Sequence, residues 1–177
     1  AHAENMITIG TSYPPHEVTY EQTIVTPAVT LISDMGMLTG EERYTAEAKK
    51  HIVNLERFNG HQPSFHLDEL PIRYWDDYWF GKSEMFGDTF PHYWSCLTSR
   101  SFLGYFKLSN DKTYLTAAQK CIRNCLCLFT DDSTGSCAYV YPYTIDGKRG
   151  QFYDEWANDQ DFALYIALDE RLIYPIT

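Results

Sequence analysis

The sequence predicts an all-α fold: an array of antiparallel helical hairpins joined by long loops, with one small β-hairpin. Three observations predict it. Apolar residues recur at helical spacing in several segments. Two of those segments echo each other at an offset of 70 residues. The connections alternate between turns of about two residues and stretches of about thirty.

The first clear helix is expected from Pro27 to Leu38, with Ile24, Ala28, Leu31, Ile32, Met35 and Leu38 on one face. Thr26-Pro27 reads as a cap followed by proline in the first turn, where the missing N–H costs nothing. Thr39-Gly40 ends this helix. A second starts near Glu41 and places Tyr44, Ala48, Ile52, Leu55 and Phe58 on one face, until Asn59-Gly60 stops it. The stretch 60–90 reads as irregular and strongly aromatic. A third helix is expected from Pro91 to Leu108, a turn at Ser109-Asn110, and a fourth helix from Asp111 to about Phe129. In the connection 130–156, Asp146-Gly147 is a two-residue hairpin signal flanked by Cys137–Ile145 and Lys148–Asp154. Alternation sets Tyr139, Tyr141 and Tyr143 on one face of that ribbon. A last helix opens near Asn158, with a capping-box-like Asp161. Residues 1–20 read as an extended lead-in, and 1–177 as a single domain or the C-terminal part of one.

The repeat ties these elements together. Thr39-Gly40-Glu41-Glu42-Arg43-Tyr44, followed by Ala48, Lys50, Ile52 and Asn54, matches Ser109-Asn110-Asp111-Lys112-Thr113-Tyr114, followed by Ala118, Lys120, Ile122 and Asn124. A weaker echo sets Phe86, Asp88, Phe90 and His92 against Phe152, Asp154, Trp156 and Asn158. Self-similarity of this kind marks stacked supersecondary units. In such an array all short turns lie at one end and all long loops at the other.

Composition narrows the function. The chain has 177 residues, 44% hydrophobic and 21% charged, enough apolar content for a packed core. Its net charge of −10 and the absence of Lys/Arg clusters exclude a nucleic-acid phosphate partner. No apolar run approaches the ~20 residues of a membrane span. Cys96, Cys121, Cys125, Cys127 and Cys137 are odd in number and contain no C-x-x-C pair, which opposes a disulfide framework or a zinc knuckle. Cys121, Cys125 and Cys127 sit in a helical pattern as small core residues. No cofactor or metal is called for, and the sequence assigns no compartment: a signal peptide on the full-length protein would make it secreted or periplasmic, and a cytoplasmic site is otherwise open. Aromatics reach 16%, including fourteen tyrosines, and they concentrate in the long loops. Flat rings there suit stacking on sugars; the alternative is that they pin the loops to the helices beneath.

The pattern that opens the second and fourth helices, an acidic residue (Glu41, Asp111) followed by Tyr44 or Tyr114 and then Ala48 or Ala118, together with Asp76-Asp77-Tyr78-Trp79-Phe80-Gly81-Lys82, Gly87-Asp88-Thr89-Phe90-Pro91-His92-Tyr93-Trp94 and Tyr153-Asp154-Glu155-Trp156-Ala157-Asn158-Asp159-Gln160-Asp161, resembles the six-hairpin glycosidase and polysaccharide-lyase toroids. The resemblance covers roughly residues 20–170. It implies an incomplete α/α toroid that binds a carbohydrate and degrades it by hydrolysis or β-elimination. A closed ring of six such units needs on the order of 350 residues, so the chain is expected to be the C-terminal part of a toroid or a short open version. It would then associate with a missing N-terminal arc or with copies of itself.

Glycoside hydrolysis is the leading expectation and β-elimination the alternative; for hydrolysis, two carboxyl groups must bracket the scissile bond. Asp88 and Asp154 hold equivalent repeat positions and are the first candidates, with Asp77 behind them. Their structural alternative is capping of the helices that follow. For β-elimination, His92 with a nearby tyrosine could take the proton beside a uronate carboxylate; its bland alternative is a plain hydrogen-bonding histidine. Trp75, Trp79, Trp94, Trp156, Tyr139 and Tyr141 are candidate stacking surfaces, and Arg73 a candidate partner for an acidic sugar. A non-catalytic carbohydrate-binding or interaction domain is the remaining reading.

Overall fold

A computed structural model describes residues 1–9, 25–56, 59–62, 67–71, 73–75, 78–80, 95–126, 129, 138–139, 144–145, 148–149, 153–154 and 165–168. Its helices are α1 (His2–Ile9), α2 (Thr26–Thr39), α3 (Glu42–Glu56), α4 (Ser95–Ser109) and α5 (Lys112–Leu126). Its strands are β1 (Asn59–Gln62), β2 (Leu67–Pro71), β3 (Arg73–Trp75), β4 (Tyr78–Phe80), β5 (Ala138–Tyr139), β6 (Thr144–Ile145), β7 (Lys148–Arg149) and β8 (Tyr153–Asp154). A further helical turn covers 165–168.

The 70-residue repeat is reproduced in the two turns atom by atom. Gly40 takes the left-handed conformation at φ 69°, and its N–H donates to the Gly36 carbonyl at 2.9 Å. Asn110 takes the same conformation at φ 59°, and its N–H donates to the Phe106 carbonyl at 2.7 Å. Glycine and asparagine are the residues that tolerate this helix-terminating geometry. One residue earlier, the Thr39 and Ser109 hydroxyls each accept from the backbone N–H two residues on, both at 3.2 Å. The next helix then begins at once, with Tyr44 N–H on the Glu41 carbonyl and Tyr114 N–H on the Asp111 carbonyl, both at 3.1 Å. The Asp111 carboxylate also caps α5 through Thr113 N–H at 3.0 Å.

Inner helices α2 and α4 run parallel, because their contacts advance together. Ser101 Oγ donates to the Thr26 carbonyl at 3.1 Å and meets Thr30 Oγ1 at 3.0 Å. Further along, Gly104 faces the Ser33 side chain, and beyond that Gly36 faces Leu108. With α2 and α4 parallel, both short turns lie at one end and the long connections leave from the other. Outer helices α3 and α5 bury matching positions of the repeat: Tyr44 and Tyr114, Ala48 and Ala118, His51 and Cys121, Ile52 and Ile122, Leu55 and Cys125. Together with Val25, Val29, Ile32, Phe102, Leu103 and Tyr105 they form one continuous core. The architecture is an arc of an α/α toroid with small β-ribbons in its long connections.

Several expectations need correction. Residues 2–9 are helical, not an extended lead-in: α1 buries Ala3 against the core and packs on α2. The cap of α2 is Val25, without a side-chain hydrogen bond, and Thr26 lies inside the helix. The buried stripe of α2 runs through Val25, Ala28, Val29, Ile32, Ser33 and Gly36, while Leu38 is 81% exposed. Leu38 lies two residues past Gly36, about 200° further round the helix. The stretch 60–90 is not wholly irregular, since β1–β2 and β3–β4 are antiparallel pairs. The fourth helix is described from Lys112 to Leu126, and Phe129 stands in a bridge outside it. The expected start of the third helix at Pro91 and of the last near Asn158 lie outside the described residues.

Candidate functional site

The candidate site is the end of the array from which the long connections leave. β1 begins three residues after α3 ends, and β2 lies against α5 with a smaller contact to α4. The first long connection therefore crosses from one hairpin to the next. It then doubles back as β3–β4, in the register Arg73↔Phe80, Tyr74↔Trp79 and Trp75↔Tyr78. This register leaves Asp76-Asp77 as the link between the strands. It brings Arg73, Trp75 and Trp79 into one ribbon, with Arg73 and Trp75 at positions of the same parity and Trp79 at the opposite parity. An aromatic pair, Tyr74-Trp75, and an aromatic triplet, Tyr78-Trp79-Phe80, on either side of two aspartates were the available sequence signal for this hairpin.

In the second long connection, β6 and β7 pair as Thr144↔Arg149 and Ile145↔Lys148, the expected hairpin about Asp146-Gly147. β5 and β8 pair as Ala138↔Asp154 and Tyr139↔Tyr153. Tyr139 and Asp154 thus occupy neighbouring rungs of one ladder. The two ladders differ in register by one residue: five steps separate Tyr139 from Thr144, and four separate Arg149 from Tyr153. Of the expected row Tyr139, Tyr141 and Tyr143, the last two lie outside the described residues. Asp154 stands in a strand, and the next described helical residue is Tyr165. Asp77, Asp88, His92, Trp94, Tyr141 and Trp156 lie outside the described residues.

The opposite, short-turn end carries polar clusters that the sequence reading did not pair. Glu4 of α1 accepts from Arg43 Nη2 at 2.7 Å and from the Tyr44 hydroxyl at 3.0 Å. These donors hold the Glu4 carboxyl below its ordinary range, and the Glu4 and Glu41 carboxylates raise the Arg43 guanidinium further. At the equivalent place in the second hairpin, Lys49 Nζ donates to the Tyr114 hydroxyl at 2.6 Å and sits 4.8 Å from that ring's centre. Tyr105 packs edge-on against Tyr114, with ring centres 4.8 Å apart. Burial first, then the neighbouring Glu56 carboxylate, pushes the Tyr114 phenol up, which disfavours it as a base. Both clusters clasp one outer helix to the preceding one. The repeated tyrosine was the legible half of this signal; its partners come from other helices.

Among the described residues Cys96, Cys121 and Cys125 are buried, and burial pushes the Cys96 thiol up to about 12. Among the described residues no group of three His, Cys, Asp or Glu side chains could hold a metal ion. No described helix is long and apolar enough to cross a membrane.

No protein-family model matches the chain. No curated protein matches it either. Among solved structures, the chain is similar to one described as a polysaccharide lyase, with 49% sequence identity and a TM-score of 0.73 over 94% of this chain. The match covers 25% of that protein, so the chain spans a quarter of the length of the lyase it resembles.

Proposed function

We propose that the chain is one arc of a carbohydrate-active toroid enzyme that cleaves an acidic polysaccharide by β-elimination. The observation that carries this reading is the 49% identity, sustained over 94% of the chain, with a polysaccharide lyase. In such a reaction a base removes the proton beside the uronate carboxylate. The electron pair forms a ring double bond, and the glycosidic oxygen leaves with a proton from an acid. No water is consumed. His92 with a tyrosine of the long connections is the proposed proton-transfer pair. Arg73 would offset the substrate carboxylate, and Trp75, Trp79, Trp94, Tyr139, Tyr141 and Trp156 would supply stacking surfaces.

Glycoside hydrolysis is the second reading. It is favoured by one observation, the repeat equivalence of Asp88 and Asp154 at the long-loop end, with Asp77 nearby in sequence.

Incubating the chain with a panel of uronate-containing and neutral polysaccharides separates the readings. β-Elimination yields a near-ultraviolet chromophore and fragments whose summed mass equals that of the substrate. Hydrolysis yields no chromophore and adds one water per cut. Under the lyase reading, His92→Ala abolishes the chromophore, whereas Asp154→Asn leaves it. Retained polysaccharide binding with no cleavage of any bound polymer would instead mark a non-catalytic binding arc.

A further inference from the structure

We propose that Arg149, on the β6–β7 ribbon, binds an oxyanion group of the polymer, a carboxylate or a sulfate ester, and so forms a second anionic subsite beside the one given to Arg73. The proposal rests on the reading of the chain as an arc that takes an acidic polysaccharide. Fourteen lysines and arginines stand against 24 acids in the chain, and they adjoin one another at only two places, Lys49-Lys50 and Lys148-Arg149. The first pair is engaged on α3: Lys49 donates to the Tyr114 hydroxyl and Lys50 to the Glu47 carboxylate. Arg43 is likewise held by Glu4 and Glu41. The second pair follows a two-residue link in the long connection after α5, and its register differs in kind. Arg149 stands opposite Thr144 and Lys148 opposite Ile145, so neither rung carries an acid. Opposite charges set across a ladder stabilise it; this rung gives Arg149 a threonine instead.

The register also separates the two cations. Antiparallel partners share a face, and successive residues alternate. One face of the ribbon thus carries Arg149 with Thr144, the other Lys148 with Ile145. A guanidinium is a planar fork of N–H donors that matches two oxygens of a carboxylate or sulfate, and threonine adds a hydroxyl on the same face. In the neighbouring ladder of the same connection, Tyr139 stands opposite Tyr153. A cation and a pair of aromatic rings on one ribbon suit an acidic sugar, which has both a charge and a ring to stack; a small inorganic anion would use the charge alone. Arg73 stands in the other long connection, on a rung with Phe80. A polymer repeats its acidic group, so cations on two separate ribbons suit one chain of it.

Affinity electrophoresis of the full 177-residue chain in gels loaded with polygalacturonate, chondroitin sulfate, desulfated chondroitin or dextran tests this. Retardation by acidic polymers, weakened by salt, and none by dextran is expected. Arg149→Gln should weaken that affinity by about tenfold, the loss of one charge-assisted contact. Lys148→Gln removes the same charge from the other face and should change it by less than about twofold. Arg149→Lys should fall between them, because it keeps the charge and loses the fork. An Arg149 effect confined to chondroitin sulfate assigns a sulfate ester; one shared with polygalacturonate assigns a carboxylate. An Arg149→Gln chain retarded like the parent, equal losses for Arg149→Gln and Lys148→Gln, or no retardation by any acidic polymer would overturn the proposal. Cleavage is a separate readout: a chain that is retarded through Arg149 but cuts nothing ends the lyase reading and leaves the subsite standing.

Discussion

The two hairpins share one backbone frame and fill it with different chemistry. Gly40 and Asn110 adopt the same left-handed turn. Tyr44 and Tyr114 open the outer helices at matching places, yet one is clasped by a carboxylate and an arginine and the other by a lysine. His51 and Cys121 are equally buried in the same row. Geometry is therefore set by a few positions: the turn, the small residues of the inner helices and the aliphatic row of the outer ones. The polar side chains vary between hairpins because each needs only some partner.

The largest effect belongs to the aliphatic row. Ile52 and Ile122 are both fully buried at equivalent positions. Ile52→Ala and Ile122→Ala should each cost about 2–5 kcal/mol, the transfer and cavity cost of a large core side chain. Chemical denaturation reads both, and a difference above about 2 kcal/mol would mean that the hairpins are not energetic equivalents.

Next come the two inner-helix glycines, where opposite signs are expected. A Cβ on Gly36 would stand 2.7 Å from Leu108 Cδ1 and 3.1 Å from Tyr44 Cβ. Leu108 can turn aside, but Tyr44 Cβ is fixed to its helix, so Gly36→Ala should destabilise by about 1–3 kcal/mol. A Cβ on Gly104 meets only Ser33 Cβ, at an ordinary 3.7 Å. Gly104→Ala should then gain up to about 1 kcal/mol of helix propensity. Equal thermal shifts of the same sign would refute the close-approach account of Gly36.

How much of this was visible in the sequence follows from the same distinction. Helical periodicity and the turn residues made α2 to α5, the repeat and the Asp146-Gly147 hairpin legible, because each depends on local spacing. Helix α1 was not legible. It has eight residues, and it is held by the burial of Ala3 and the ion pair of Glu4 with Arg43, contacts distant in sequence. The side of α2 that faces the core was misjudged at Leu38, since periodicity shows that a stripe exists but not where a neighbouring helix stops. For the candidate site, placing Arg73, Trp75, Trp79, Tyr139 and Asp154 in long connections was correct. Their ribbon registers depend on cross-strand pairing, which periodicity does not encode.

The turns come third. Gly40 at φ 69° should lose about 1–2 kcal/mol on replacement by alanine, the cost of a left-handed non-glycine residue. Gly40→Asn copies the second turn and should cost less, because asparagine tolerates that region. Urea midpoints that rank asparagine below alanine would show that the two turns are not held in the same way.

The smallest effect is also the one that only a titration reveals. His51 is buried, and that burial, more than the nearby Lys50, lowers its proton affinity; Glu47 opposes the shift. A histidine whose folded-state pKa is depressed costs nothing while both states are neutral. Below its ordinary value near 6.5 the unfolded chain takes up the proton first, so stability falls as pH drops, by up to about 1.4 kcal/mol per unit until the folded pKa is reached. His51→Cys installs the residue that the second hairpin carries at Cys121, and it removes that contribution. Unfolding free energies from pH 7.5 to pH 5, about the range in which histidine titrates, should therefore decline less steeply for the variant than for the parent. Parallel profiles would mean that His51 keeps its ordinary affinity in the fold, and that the two hairpins respond to acid alike despite carrying different residues in the same buried row.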